Sequence, residues 1–155
     1  MEKHLLKAEW DRRYPVHKKE RWNGLVLSTE NRKGSIRSGI DIDGKPWRVK
    51  MKNDYGRILG TIGKDGEHVD YYKGTDDHSN IVYVIHQVNP FRGHVYDEDK
   101  CMIGYSSLEQ AKESYLKHYN RDDFIGETTE FSIDEFKDAL KYCMGRRLQK
   151  MFRYK

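Results

Sequence analysis

The sequence predicts an α+β fold, a small twisted sheet or barrel with helices packed on it. Three observations carry that expectation. Between about residues 24 and 105, short runs of branched and aromatic residues alternate with glycine-containing turns. Two capping signals, SLEQ at 107–110 and SIDE at 132–135, open amphipathic segments in the last third. Strands therefore precede helices instead of alternating with them, the pattern of α+β rather than α/β chains. The 155 residues suffice for one domain with its own core. Charged residues reach 35% against 36% hydrophobic, so the 3 Trp, 11 Tyr and 5 Phe are expected to supply much of that core.

Taken in order, residues 1–22 read as a basic N-terminal extension, in which Leu5, Leu6 and Trp10 suit a helix. One domain follows over 23–145, and residues 146–155 form a basic tail. GLVLSTE at 24–30 is rich in branched residues and reads as a strand. DGKP at 43–46 is a turn signal. After it Trp47, Val49 and Met51 alternate with Arg48, Lys50 and Lys52, the period of a half-buried strand. Val69 to Tyr72 is a strand entered through a turn at Gly66. IVYVIHQV at 81–88 is apolar enough for a central strand, and CMIGY at 101–105 is a shorter one preceded by the acidic turn DEDK at 97–100. Leu108, Ala111, Tyr115 and Tyr119 share one face of the first helix. Phe131 and Phe136 have the spacing of a hydrophobic staple around the second, whose stripe is Ile133, Phe136, Leu140, Cys143 and Met144.

Cys101 and Cys143 show no CxxC spacing, so free thiols in a reducing compartment are expected. No apolar run approaches a membrane span, and MEKHLLKAEWDRRY lacks the apolar segment of a signal peptide. A cytoplasmic protein without membrane contact is the expectation. The formal charge of +4 concentrates in the two ends. Such ends could touch nucleic acid, but a solvated basic face is the commoner meaning.

Polar chemistry gathers in a few clusters. GKDGEHVD at 63–70 places Asp65, Glu67 and Asp70 around a glycine, hard oxygen donors that suit Mg²⁺ or Mn²⁺ better than zinc. Read alone, an acidic hairpin is the commoner meaning of such a stretch. ENRKGSIRSG at 30–39 joins glycines, hydroxyls and cations, a plausible phosphate cradle that is not a Walker P-loop. DEDK puts acids beside Lys100, with a solvated turn as the plain alternative. His86, inside an apolar strand, reads as a hydrogen-bonded core histidine sooner than as a ligand.

In this order, YGRILGTIGKDGEHVD at 55–70, VIHQVNP at 84–90 and DEDKCMIGY at 97–105, together with the 30–39 segment and the turn DGKPW at 43–47, resemble the soluble inorganic pyrophosphatases. The resemblance is closest to the pyrophosphatase-like domain of phage and mobile-element polyvalent proteins, and it spans about residues 25–140. It implies a small OB-like five-stranded barrel with C-terminal helices against it. It also implies Mg²⁺, with Mn²⁺ as a substitute, held by Asp65, Asp70 and Glu98, with Glu30 as a further ligand. Glu67 would stand where the family activates the attacking water, and the catalytic set would also include Tyr55, hydrogen-bonding the phosphate oxygens, and Lys100, neutralising them. Lys33, Arg37 and Tyr119 would bind the phosphate of pyrophosphate or a nucleotide-like ligand. Hydrolysis of pyrophosphate or a related phosphoanhydride or phosphoester is the activity implied. The alternative is a catalytically weakened domain that binds a nucleotide or phosphorylated signal, as in phage counter-defence. Three positions depart from the family pattern: Glu67 replaces an Asp, His86 replaces an Asp of the phage version, and Asn120 replaces the lysine of the cellular enzymes.

Overall fold

The computed structural model describes residues 18–40 and 44–151. The proposed helix around Leu5, Leu6 and Trp10 lies outside them. Among the described residues nine strands form in order: β1 (Lys18–Trp22), β2 (Leu25–Asn31), β3 (Ile36–Ile40), β4 (Pro46–Lys50), β5 (Asp54–Ile58), β6 (Val69–Lys73), β7 (Ile81–Asn89), β8 (Val95–Ile103) and β9 (Thr128–Ser132). Helix α1 (Leu108–Leu116) follows β8, and α2 (Ile133–Tyr142) follows β9. Seven strands make one curled half-barrel sheet in the order β1-β2-β5-β6-β8-β7-β9, while β3 and β4 pair as a separate ribbon. The α+β class holds, but the main sheet has seven strands where five were expected.

Among the described strands only β6 and β8 pair in parallel, which sets Asp70 opposite Lys100. The hairpin β1–β2 and the crossings to β5 and β6 are antiparallel. Gly56 is required where β5 meets β2, because a Cβ there would lie 2.0 Å from the Ser28 carbonyl oxygen. In β7–β8 the sequence reading needs a correction. DEDK is not a turn before a strand but the middle of β8, which starts at Val95 after the left-handed pair Gly93 and His94. Pro90–Arg92 forms a single 3₁₀ turn capped by Asn89, whose Oδ1 accepts from the Phe91 N–H, so the reversal ends before the acids.

Period-2 alternation divides the core. Val69 and Tyr71 of β6, Cys101 and Ile103 of β8, and Val82 and Val84 of β7 pack with Phe131, Phe136 and Leu140 under α2. Tyr72, Met102, Tyr83 and Ile85 face the other way and pack with Tyr55, Met51, Ala111 and Tyr115 under α1. Both helices start where the spacing predicts. The Ser132 Oγ accepts from the Glu135 N–H at 3.2 Å and Glu135 Oε1 accepts from the Ser132 N–H at 2.9 Å, a complete capping box. At α1 the Ser107 Oγ accepts from the Gln110 N–H, but the Gln110 side chain accepts from Ser106 rather than Ser107, so that box is shifted by one residue. The Phe131 and Phe136 rings meet edge to face at 6.1 Å, as the staple spacing predicts. The two cysteines are free and buried.

His86 belongs to the α2 side. Its Nδ1 lies 2.6 Å from Asp99 Oδ1 and its Nε2 2.7 Å from Thr129 Oγ1, while the other Asp99 oxygen accepts the Leu148 N–H at 2.7 Å. It is a satisfied core histidine. Replacing it leaves Asp99 without one of its partners, so His86→Ala is expected to cost about 1–3 kcal/mol in urea denaturation.

Candidate active site

On the α1 face, the parallel pairing of β6 and β8 aims Lys100 at Asp70. The Lys100 ammonium donates to Asp70 Oδ2 at 2.8 Å, to Glu98 Oε1 at 2.7 Å and to the Tyr55 hydroxyl at 2.8 Å. Its side chain is 3% exposed. An ammonium has three N–H bonds, so this buried cation is fully paired. Burial works against its charge, but the Asp70 and Glu98 carboxylates more than offset that, and its pKa lies well above the usual lysine value. Burial drives the Tyr55 phenol in the same direction, Asp70 adding to the effect and Lys100 opposing it. Tyr55 therefore stays protonated. Because its oxygen accepts from Lys100, its O–H remains able to donate.

A β-bulge brings in a third acid. Gln87 pairs with Glu98 but Val88 pairs with Tyr96, leaving Asp97 as the extra residue on β8. Gln87 Nε2 donates to Asp97 Oδ2 at 3.0 Å and leans toward Glu98 Oε1 at 3.5 Å. Gln87 Oε1 lies 2.7 Å from the Tyr115 hydroxyl and 3.0 Å from that of Tyr119. Burial raises the Glu98 pKa above its ordinary value; Asp70 and Asp97 add to this, and Lys100 opposes it.

The β3–β4 ribbon supplies the remaining cation. Arg37 shares the inner face with Trp47 and Val49, and its guanidinium carbon sits 4.6 Å from the Tyr55 ring centre and 5.3 Å from that of Trp47. Gly39 makes room for this stack, because a Cβ there would lie 2.5 Å from the indole. Among the described residues no hydrogen bond or ion pair ties Arg37 to a protein acceptor. Its fork of donors lies over two aromatic rings and is left without a protein acceptor among the described residues.

The candidates from the sequence thus divide. Asp70, Glu98, Lys100, Tyr55, Arg37 and Tyr119 converge. Asp65 and Glu67 are exposed in the 63–67 turn, where Asp65 Oδ1 accepts the Glu67 N–H at 3.0 Å and Gly66 takes φ +82°. Glu30 is the extra residue of a bulge in β2 and pairs with Arg57 at 2.9 Å. The Lys33 side chain is exposed, and its backbone N–H donates to Asp54 Oδ1. Among the described residues no three His, Cys, Asp or Glu side chains are already placed to hold a metal ion. Sequence reasoning missed Gln87, Asp97 and Trp47. Gln87 had a signal: it is polar, lies two residues from Ile85 and so shares the face opposite His86. Asp97 had none, since its orientation depends on the bulge.

The inorganic pyrophosphatase family model matches residues 8–141. The chain belongs to the inorganic pyrophosphatase family. No curated protein and no solved structure matches it significantly. In this pyrophosphatase-family domain the matched span includes every strand from β1 to β9 and both helices up to residue 141. Among the described residues no helix is long and apolar enough to cross a membrane.

The raised Glu98 pKa fixes a pH dependence. The native state holds a proton on Glu98 at pH values where the unfolded chain has released it, so this contribution is full below the ordinary glutamate pKa and is lost as pH rises through the folded value. In the metal-free protein the urea midpoint is expected to fall across that window, and Glu98→Gln is expected to flatten the fall.

Proposed function

We propose that the domain hydrolyses pyrophosphate or a related phosphoanhydride with the help of Mg²⁺. The observation that supports this best is the open Arg37 fork beside Lys100 and Tyr55, in a domain of the pyrophosphatase family. An arginine guanidinium pairs with phosphate oxygens through parallel hydrogen bonds, and the Tyr55 and Trp47 rings hold its position. The Tyr55 O–H donates to a phosphate oxygen while Lys100 holds the phenol in place. The Lys100 ammonium offsets negative charge as it develops on the departing phosphate. Lys33 reaches the outer phosphate oxygens from its exposed turn.

The donor set fits Mg²⁺ in its chemistry. Asp70, Glu98 and Asp97 offer only hard carboxylate oxygens, and a cation would offset the burial, and after it the neighbouring acids, that raise the Glu98 pKa. Mg²⁺ is commonly held by one or two carboxylates and substrate phosphates, so a chain-only cage is not required. Asp70 and Glu98 would hold it, with Asp65 and Glu30 as outer ligands. A bound divalent ion neutralises phosphate charge and acidifies a coordinated water. Glu67 is the proposed general base, carried by the exposed turn next to Asp65 and one methylene longer than the family's Asp.

Phosphate release from pyrophosphate is expected to require Mg²⁺ or Mn²⁺ and to fall by about 100-fold or more in Asp70→Asn. No release from pyrophosphate, nucleoside triphosphates or cyclic nucleotides with either metal would sink the hydrolase reading; tight nucleotide binding without turnover would replace it with a binding function. Arg37→Gln is expected to weaken imidodiphosphate binding about 10–100-fold in calorimetry, the loss of a charged hydrogen bond.

A further inference from the structure

Gln87 lies between the acids and two tyrosines, Tyr115 in α1 and Tyr119 just beyond its C-terminus; it is buried to 6% exposure, and its hydrogen bonds have a fixed direction. Asp97 as a carboxylate only accepts, so the Gln87 amide N–H groups point toward Asp97 and Glu98. Its oxygen is then the acceptor for both tyrosines, so the hydroxyl protons of Tyr115 and Tyr119 are both committed to Gln87. A phosphate oxygen is also an acceptor. In the ligand-free protein, Tyr119 therefore has no proton to offer it.

We propose that Gln87 is a positioning residue that holds the Tyr119 hydroxyl in the free site and yields it to the phosphate ligand on binding. This rests on the phosphate-binding reading of the site. Two features make the exchange inexpensive. The amide oxygen keeps its 2.7 Å bond from Tyr115 after Tyr119 leaves, so no buried acceptor is orphaned. The Tyr119 ring stays seated between Tyr115, 4.5 Å away centre to centre, and Phe124 at 5.5 Å, so only the hydroxyl has to turn. Gln87 also ties this exchange to the acids, because the same amide holds Asp97 and Glu98 through its nitrogen.

The exchange has a quantitative signature. In wild type Tyr119 trades one hydrogen bond for another, so its hydroxyl adds little to affinity. With the acceptor gone, as in Gln87→Met, the hydroxyl contributes a full bond. Calorimetry of imidodiphosphate binding on the four proteins of a Gln87→Met and Tyr119→Phe cycle measures the difference. Tyr119→Phe is expected to change affinity less than twofold in wild type and to weaken it about fivefold in the Gln87→Met background, equivalent to about 1 kcal/mol. Equal effects in both backgrounds would overturn the exchange while leaving the phosphate site standing. No imidodiphosphate binding to wild type would overturn both. Should Gln87→Met not fold, Gln87→Glu keeps the acceptor for Tyr119 and removes the donors to the acids. There the effect of Tyr119→Phe is expected to remain below twofold, and a fivefold loss would contradict the proposal.

Discussion

The buried Lys100 ammonium is the interaction on which the site depends. It gathers Asp70 from β6, Glu98 from β8 and Tyr55 from β5. Two carboxylates this close repel each other, and each would be costly to bury alone. One ammonium with three donors satisfies both and still orients the phenol. The parallel β6–β8 pairing makes this possible, since it sets Asp70 directly against Lys100 in a sheet otherwise built of antiparallel neighbours.

The other parts of the site are arranged around that centre. Arg37 needs Tyr55 to be held still, because the Tyr55 ring is one of the two surfaces that orient the guanidinium. Gln87 extends the network from Glu98 and Asp97 to Tyr115 of α1 and to Tyr119 beyond it, so the helix is linked to the acids by side chains as well as by packing. The two faces of β8 divide the work. Lys100 and Glu98 serve the site, while Asp99 between them holds His86 and the Leu148 N–H on the far side. Chemistry and C-terminal anchoring share one strand without sharing side chains.

Much of this was legible in the sequence, and what was not has physical reasons. The two helices were readable from Ser107, Ser132 and the Phe131–Phe136 staple because capping is local chemistry. Strand β4 was readable because Trp47 and Val49 alternate with Arg48 and Lys50. His86 was read as a core residue, and its position opposite Asp99 explains why its departure from the family pattern leaves the site face untouched. DEDK was misread as a turn, since acids in a strand look like a loop until the strand that shields them is known. The bulge that turns Asp97 toward Gln87 depends on pairing across two strands, which no local window contains. Asp65, Glu67, Glu30 and Lys33 were grouped with Asp70 through the family resemblance. Yet they sit on an exposed turn, a bulge and a loop, so spacing alone does not bring them to Lys100.

The central claim is that Asp70 and Glu98, held by Lys100, form a cation-and-phosphate site with Arg37. Crystals grown with Mn²⁺ and imidodiphosphate test it most directly through the anomalous signal of the metal. The account predicts Mn²⁺ coordinated by Asp70 and Glu98 together with phosphoryl oxygens of the ligand, and the ligand's far end on the Arg37 guanidinium. Mn²⁺ bound only at Asp65 and Glu67 in the exposed turn, or imidodiphosphate seated away from Arg37, would contradict it.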